Sequence, residues 1–214
     1  MKIFYIMGRS GCGKDTVKNF LLKQEDFRCE NLIEATTRPP RIGETDEHLF
    51  LSENDFNNMI DENKFIEHRS YEVNTSTEKY WKYATLFPES TEKYCAIYIG
   101  TGTLESYKSL IEYYKGENVV YPILLDVSDY NLLYRSITRE IGAETEKFKE
   151  ICRRFITDLD DYSESKIEEM GISKHCRFDN NRPISEVLSR IRAYVIRNTK
   201  YERFSQKEKY INEN

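Results

Sequence analysis

No stretch of this sequence approaches the roughly 20 apolar residues that a membrane-spanning helix needs. Mean hydropathy is −0.71, and the apolar residues fall in short periodic groups, as in a soluble globular chain with no membrane partner. Excess basic charge is lacking too. The 32 Lys and Arg are outnumbered by 37 Asp and Glu, for a net charge of −5; a nucleic-acid-binding protein would normally carry a basic domain or stripe. The five cysteines (Cys12, Cys29, Cys95, Cys152 and Cys176) include no C-x-x-C pair. That spacing suits reduced thiols in a cytoplasm and supplies no zinc ligand set. His48, His68 and His175 are scattered, with no general-base partner nearby in sequence. The opening apolar run, Lys2–Met7, is too short for a signal peptide and leads straight into glycines. There is no internal repeat and no low-complexity tract.

What is present is one α/β domain's worth of chain, 214 residues, long enough to bury its own core and to carry a small inserted lobe. Lys2–Met7 is almost wholly apolar, as befits a strand buried on both faces. Residues 95–99 and 119–125 read as further core strands, and residues 175–178 as a short last one. Between them, Leu104, Tyr107, Ile111 and Tyr114 share a helix face, as do Phe148, Ile151 and Phe155, and then Val187, Leu188, Ile191 and Val195. Pro183 suits a first helical turn. The alternation predicts a parallel sheet of about five strands with helices on both sides. Residues 38–83 break it, with strand-like pieces at 49–51 and 65–67 and a helix over Glu53–Asp61 that Ser52 and Asp55 cap in the manner of a capping box.

The sharpest motif is Gly8-Arg9-Ser10-Gly11-Cys12-Gly13-Lys14-Asp15-Thr16, which packs three of the nine glycines between a strand and a helix. It fits G-x-x-x-x-G-K. Glycines let successive N–H groups turn inward as an anion nest, and the helix start adds about half a positive charge. Lys14 adds a full charge for β- and γ-phosphates, and Thr16 a hydroxyl for an α-phosphate. Asp15 stands where Ser or Thr is usual. Its carboxylate either ligates Mg²⁺, directly or through water, or stabilises the first helical turn. Cys12 reads as a small filler, with a lowered thiol pKa at the helix start as the competing view.

A second constellation is Thr36-Thr37-Arg38-Pro39-Pro40-Arg41-Ile42-Gly43-Glu44. Two arginines three apart, stiffened by prolines, form a fork suited to phosphate oxygens. In isolation the segment equally suits a basic surface turn. The phosphate loop followed by T-T-R-x-P-R-x-G-E resembles the guanylate kinase family. Phe50-Leu51-Ser52, Phe56 and Asn63-Lys64-Phe65-Ile66-Glu67 look like that family's nucleotide-binding lobe. The likeness runs in outline from Lys2 to Ile196. It implies that Arg38 and Arg41 hold the GMP phosphate and that Glu67 accepts from the donor-rich edge of guanine. The family's phosphate-binding tyrosine falls near His48. Its aromatic N-Y-Y-G-S/T stretch becomes Tyr80-Trp81-Lys82-Tyr83, which leaves Tyr80, Trp81 or Tyr83 for an aromatic contact. The family's I-D-x-x-G acid is absent from Ile97-Tyr98-Ile99-Gly100-Thr101-Gly102-Thr103, so base identity and metal geometry stay open, with Thr101 or Thr103 as hydroxyl substitutes.

Arg135 and Arg139, four apart, share a helix side, and Arg153 and Arg154 follow on the next helix. The resemblance implies that Arg135, Arg139 and one of the latter pair, taken as Arg154, close over the triphosphate as catalytic groups with Lys14. Phe178-Asp179-Asn180-Asn181 is similar to the family's segment near the donor adenine, which assigns Asn180 to ATP. The implied organisation is a core over residues 1–33, 85–134 and 159–197, a nucleotide-binding lobe over 34–84 and a lid over 135–158. A polar, fraying tail over 198–214 follows. The implied activity is phosphoryl transfer from ATP, with Mg²⁺, to GMP. Another (deoxy)nucleoside monophosphate as acceptor, or a non-catalytic protein-binding domain, are the alternatives.

Overall fold

The structure, a computed structural model, describes residues 1–40, 48–72, 80–88, 97–116, 118–139 and 145–212, with the backbone alone at 146 and 200–212. Five parallel strands stand in the order β2 (Glu30–Asn31), β7 (Ile97–Gly102), β1 (Lys2–Met7), β8 (Val120–Asp126), β9 (Arg177–Asp179). β1 lies at the centre and is buried at every position, which explains why its sequence does not alternate. Phe4 and Ile6 pack on one face with Val17 and Leu21 of α1 (Lys14–Leu22) and with Ile191 and Val195 of α7 (Ile184–Asn212). On the other face, Ile3, Tyr5 and Met7 meet Leu104 and Leu110 of α3 (Leu104–Tyr113) and Ile167 of α6 (Glu164–Glu169). Helices therefore cover both faces, the α/β architecture expected.

A second, four-stranded sheet follows the order β4 (Leu49–Phe50), β3 (Glu34–Thr36), β6 (Tyr80–Leu86), β5 (Phe65–Glu72). Its β3–β4 pair is parallel, and its other pairs are antiparallel. Ala35 and Ala84 pack on Phe56 of α2 (Glu53–Asp61) as a small core of their own. Strand alternation then turns Glu34, Arg69, Tyr71, Trp81 and Tyr83 the other way, and all five line a cleft toward the main sheet. Two further helices, α4 (Asp129–Arg139) and α5 (Thr145–Asp161), border that cleft.

Element by element, the differences from the sequence reading are local. The strand expected at 95–99 is described from Ile97 and runs on to Gly102, with Cys95 outside the described residues. The last strand begins two residues late, after a 3₁₀ turn at Lys174–Cys176. Ser52 caps α2 by accepting the Asp55 N–H at 3.1 Å. The Asp55 carboxylate takes the Ser52 hydroxyl at 2.6 Å, where a full capping box would take the Ser52 backbone N–H. The tail expected to fray from 198 instead continues α7 to Asn212; no Gly or Pro lies in residues 184–212 to stop it.

Candidate functional site

The turn from β1 into α1 is the centre of a cleft of about 1240 Å³. Gly8, Gly11 and Gly13 all have positive φ, the left-handed backbone that glycine alone adopts at little cost. At Gly8 a side chain would also collide with the Leu125 carbonyl, 2.8 Å from where its Cβ would lie. Gly13 starts α1 with φ 99° and no side-chain cap, so the first N–H groups of the helix are left for another acceptor. Gly8, Ser10, Gly11, Gly13, Lys14, Asp15 and Thr16 line the cleft.

The loop is braced from three sides. The Lys14 ammonium folds back onto the carbonyls of Gly8 (2.7 Å) and Arg9 (3.3 Å). Asn180, at the end of β9 and 3% exposed, donates from Nδ2 to the Cys12 carbonyl at 2.7 Å. From α5, Asp158 accepts the Ser10 N–H at 2.5 Å, and Tyr162 just beyond it accepts the Gly8 N–H at 3.3 Å. Cys12 is a buried filler that does not line the cleft as a nucleotide contact, and, against the competing view of a lowered pKa, burial pushes its thiol up over the opposing pull of the Lys14 charge. Desolvation outweighs the helix start here.

At the far end, Arg38 is 4% exposed and donates to the Pro39 carbonyl at 2.8 Å, with its guanidinium over the Phe50 ring. Arg41 lies outside the described residues, as do Gly43 and Glu44. His48 stacks on Phe50 and points Nε2 at Glu34, 3.4 Å away, while its Nδ1 is buried without a partner. Trp81 and Tyr83 line the cleft; Tyr80 is 47% exposed and does not. Glu67 departs from the sequence reading. It does not line the cleft, and its Oε1 accepts from both Arg69 (2.5 Å) and Thr85 (2.6 Å). Arg69 lines the cleft in its place and also pairs with Glu34.

The helical arginines reach the same cleft. Arg135 donates to the Asn180 carbonyl at 2.8 Å, and Arg139, Arg153 and Arg154 line the wall. Arg153 and Arg154 both grip Glu150 on their own helix, at 2.7 and 2.6 Å. Partial burial would raise the Glu150 carboxyl, but the two guanidiniums win and hold it below the usual carboxylate range.

Sequence reasoning missed Glu34, Arg69, Asp158 and Tyr162. A signal existed for one of them: Glu67 and Arg69 are two apart on a strand, so they share a face. Asp158 and Tyr162 reach the loop from about 150 positions downstream, a contact that spacing does not encode.

A strand, a G-x-x-x-x-G-K loop and a helix at the middle of a parallel sheet define a P-loop fold. A gluconokinase from Sinorhizobium meliloti 1021 shares the overall fold, with a TM-score of 0.50 at 12% identity over 95% of this chain and 97% of that one. More specifically, residues 1–84 match the guanylate kinase family model. The guanylate kinase of Bacillus subtilis is 38% identical over 71 residues, 32% of this chain and 35% of that protein. That of Prochlorococcus marinus is 44% identical over 69 residues, 31% and 36% of the two chains. The matched part thus spans about a third of the length of these curated relatives.

Proposed function

We propose that the chain is an ATP-dependent nucleoside monophosphate kinase acting first on GMP, giving ADP and GDP. The observation that carries this reading is a single cleft lined both by the phosphate loop and by Arg38, with Arg135, Arg139 and Arg154 along its wall. Phosphoryl transfer needs two phosphates in line and cations around the charge that spreads over the moving group, with little acid–base chemistry. Lys14 and the loop N–H groups hold the ATP phosphates, with Asn180 bracing the loop near the donor nucleotide. Arg38 and Arg41 hold the GMP phosphate. One of its oxygens attacks the γ-phosphorus while the bond to the β-phosphate oxygen breaks. Arg135, Arg139 and Arg154 meet the equatorial oxygens.

Mg²⁺ fits as a companion of the nucleotide, screening the phosphate charge when bound. Among the described residues no three His, Cys, Asp or Glu side chains cluster to hold a metal; Asp15, which lines the cleft beside Lys14, offers a hard oxygen at the start of α1. In this reading residues 34–84 form the nucleotide-binding lobe and 135–158 the lid, on a core of 1–33, 85–134 and 159–197. The setting is cytoplasmic. Among the described residues no helix is long and apolar enough to cross a membrane. A coupled assay of ADP release across the common nucleoside monophosphates tests the proposal. Release with none of them, above ATP alone, overturns it.

A further inference from the structure

We infer that Arg69 and Glu34 together are the specificity-determining pair for the acceptor base: Arg69 donates to a ring carbonyl while Glu34 accepts the adjacent ring N–H. The inference rests on the kinase reading above and names the base chemistry that its acceptor must carry.

The register of the second sheet brings the groups together. Glu34, Thr85 and Glu67 form one row across β3, β6 and β5, and Thr36, Tyr83 and Arg69 form the next row on the same face. Arg69 therefore sits between two carboxylates, bonded to Glu67 through Nη1 and to Glu34 through Nη2, with its guanidinium over the Tyr83 ring. Its side chain is 6% exposed, yet it lines the cleft. Burial opposes its charge, but the flanking Glu34 and Glu67 outweigh that and hold its pKa above the ordinary arginine value. A guanidinium carries five N–H donors. Two are taken by the carboxylates, Tyr71 takes a further contact, and Nε is buried with no partner, so the donors that can face the cleft are the remaining Nη N–H groups. The base end of the cleft thus presents a permanent, desolvated donor.

Glu34 completes the pattern. It gives Oε1 to Arg69 and has Oε2 3.4 Å from His48 Nε2, and a carboxylate has room for about four hydrogen bonds. Tyr71, Trp81 and Tyr83 line the same end and offer faces on which a flat ring stacks. A donor beside an acceptor complements a base with a carbonyl next to a ring N–H: guanine, hypoxanthine or uracil. Adenine and cytosine put an amino group where the carbonyl stands and a bare nitrogen where the N–H stands. Each would set donor against donor and acceptor against acceptor, leaving the buried Arg69 and Glu34 groups badly paired. Guanine differs from hypoxanthine only in its 2-amino group. The carboxylate that the sequence reserved for that edge, Glu67, already holds Arg69 and Thr85 on one oxygen and does not line the cleft.

The test is kcat/KM at saturating ATP for GMP, IMP, AMP, UMP and CMP, on the wild type and on R69M and R69K. IMP is expected within about threefold of GMP, and keto exceeds amino by about tenfold or more at matched ring size, IMP over AMP and UMP over CMP. R69M should bring the IMP-to-AMP ratio near one, and R69K should restore part of it. Removing Arg69 leaves Glu34 facing Glu67, so the wild-type panel and thermal shifts with the same five nucleotides read the preference independently of any variant. AMP equal to IMP in a working kinase overturns the inference while leaving the kinase reading intact. So does an R69M that loses GMP and AMP in equal proportion. Turnover with no monophosphate overturns the kinase reading itself.

Discussion

The carboxylate of Asp158 on α5 accepts the backbone N–H of Ser10 in the phosphate loop at a distance of 2.5 Å. Helix α5 and the phosphate loop are thereby joined through a negative group on an N–H that, in the proposed reading, would serve a phosphate oxygen. If the chain binds ATP as proposed, the nucleotide competes with Asp158 for the same donor. Asp158→Asn keeps the size and removes the charge, so the apparent KM for ATP should fall, by about three- to tenfold once solvent screening of a half-buried group is allowed for. Steady-state kinetics in ATP decide it. A raised KM would mean that Asp158 helps to hold the nucleotide and that the competition is wrong.

Lys14 makes its contacts with two loop carbonyls at the mouth of the sheet, outside the packed core. Lys14→Ala should lower kcat by about 100-fold or more, in line with removal of a fixed donor at the reacting charge. The melting temperature should move by only about 2–4 °C, as expected for roughly 1 kcal/mol in a chain of this size. Near-normal turnover in a folded mutant would remove the phosphate-loop assignment.

The phosphate loop was legible because its signal is local: apolar strand, glycines, lysine and amphipathic helix lie within residues 2–22. The helix Glu53–Asp61 was legible for the same reason, through Ser52 at its start. The cluster of Glu34, Arg69 and Glu67 was not, because it comes from rows across three strands. Glu34 and Glu67 are aligned only through Thr85 of β6, a strand whose aromatic residues drew attention as binding groups and not as a pairing partner. A resemblance that assigned Glu67 from its place along the chain could not report that Arg69, two residues on, would occupy its carboxylate.

Cys12 offers a pH-dependent check on the loop. Burial raises its thiol above the ordinary 9.0, with the Lys14 charge pulling the other way and losing. The folded protein therefore keeps the proton where the unfolded chain releases it, and this contribution to stability is full below pH 9.0 and declines as the pH rises beyond it. At pH 8, iodoacetamide should label the exposed Cys152 well before the buried Cys12. Mass spectrometry of the peptides gives the order, and early labelling of Cys12 would show that the loop opens readily.

Asp15 is the residue at which the proposed metal role can be tested. It lies exposed in the first turn of α1 and lines the cleft, so both of its possible tasks are geometrically open. As a helix-start charge it contributes about 0.3–1 kcal/mol, and its loss would lower the melting temperature slightly at any magnesium concentration. As a metal ligand it contributes nothing without Mg²⁺, and it offsets its own repulsion from the phosphates only when the cation lies between them. The proposed kinase chemistry favours the second task, because Asp15 lines the cleft beside Lys14, where the phosphates of the nucleotide would lie. Asp15→Ala should then raise the Mg²⁺ concentration for half-maximal rate several-fold, while Asp15→Asn, which keeps one carbonyl oxygen, should fall between. The measurement is initial rate against free Mg²⁺ at fixed ATP for the three proteins. Superimposable curves with a lowered melting temperature would assign Asp15 to the helix start and leave the metal to the nucleotide phosphates.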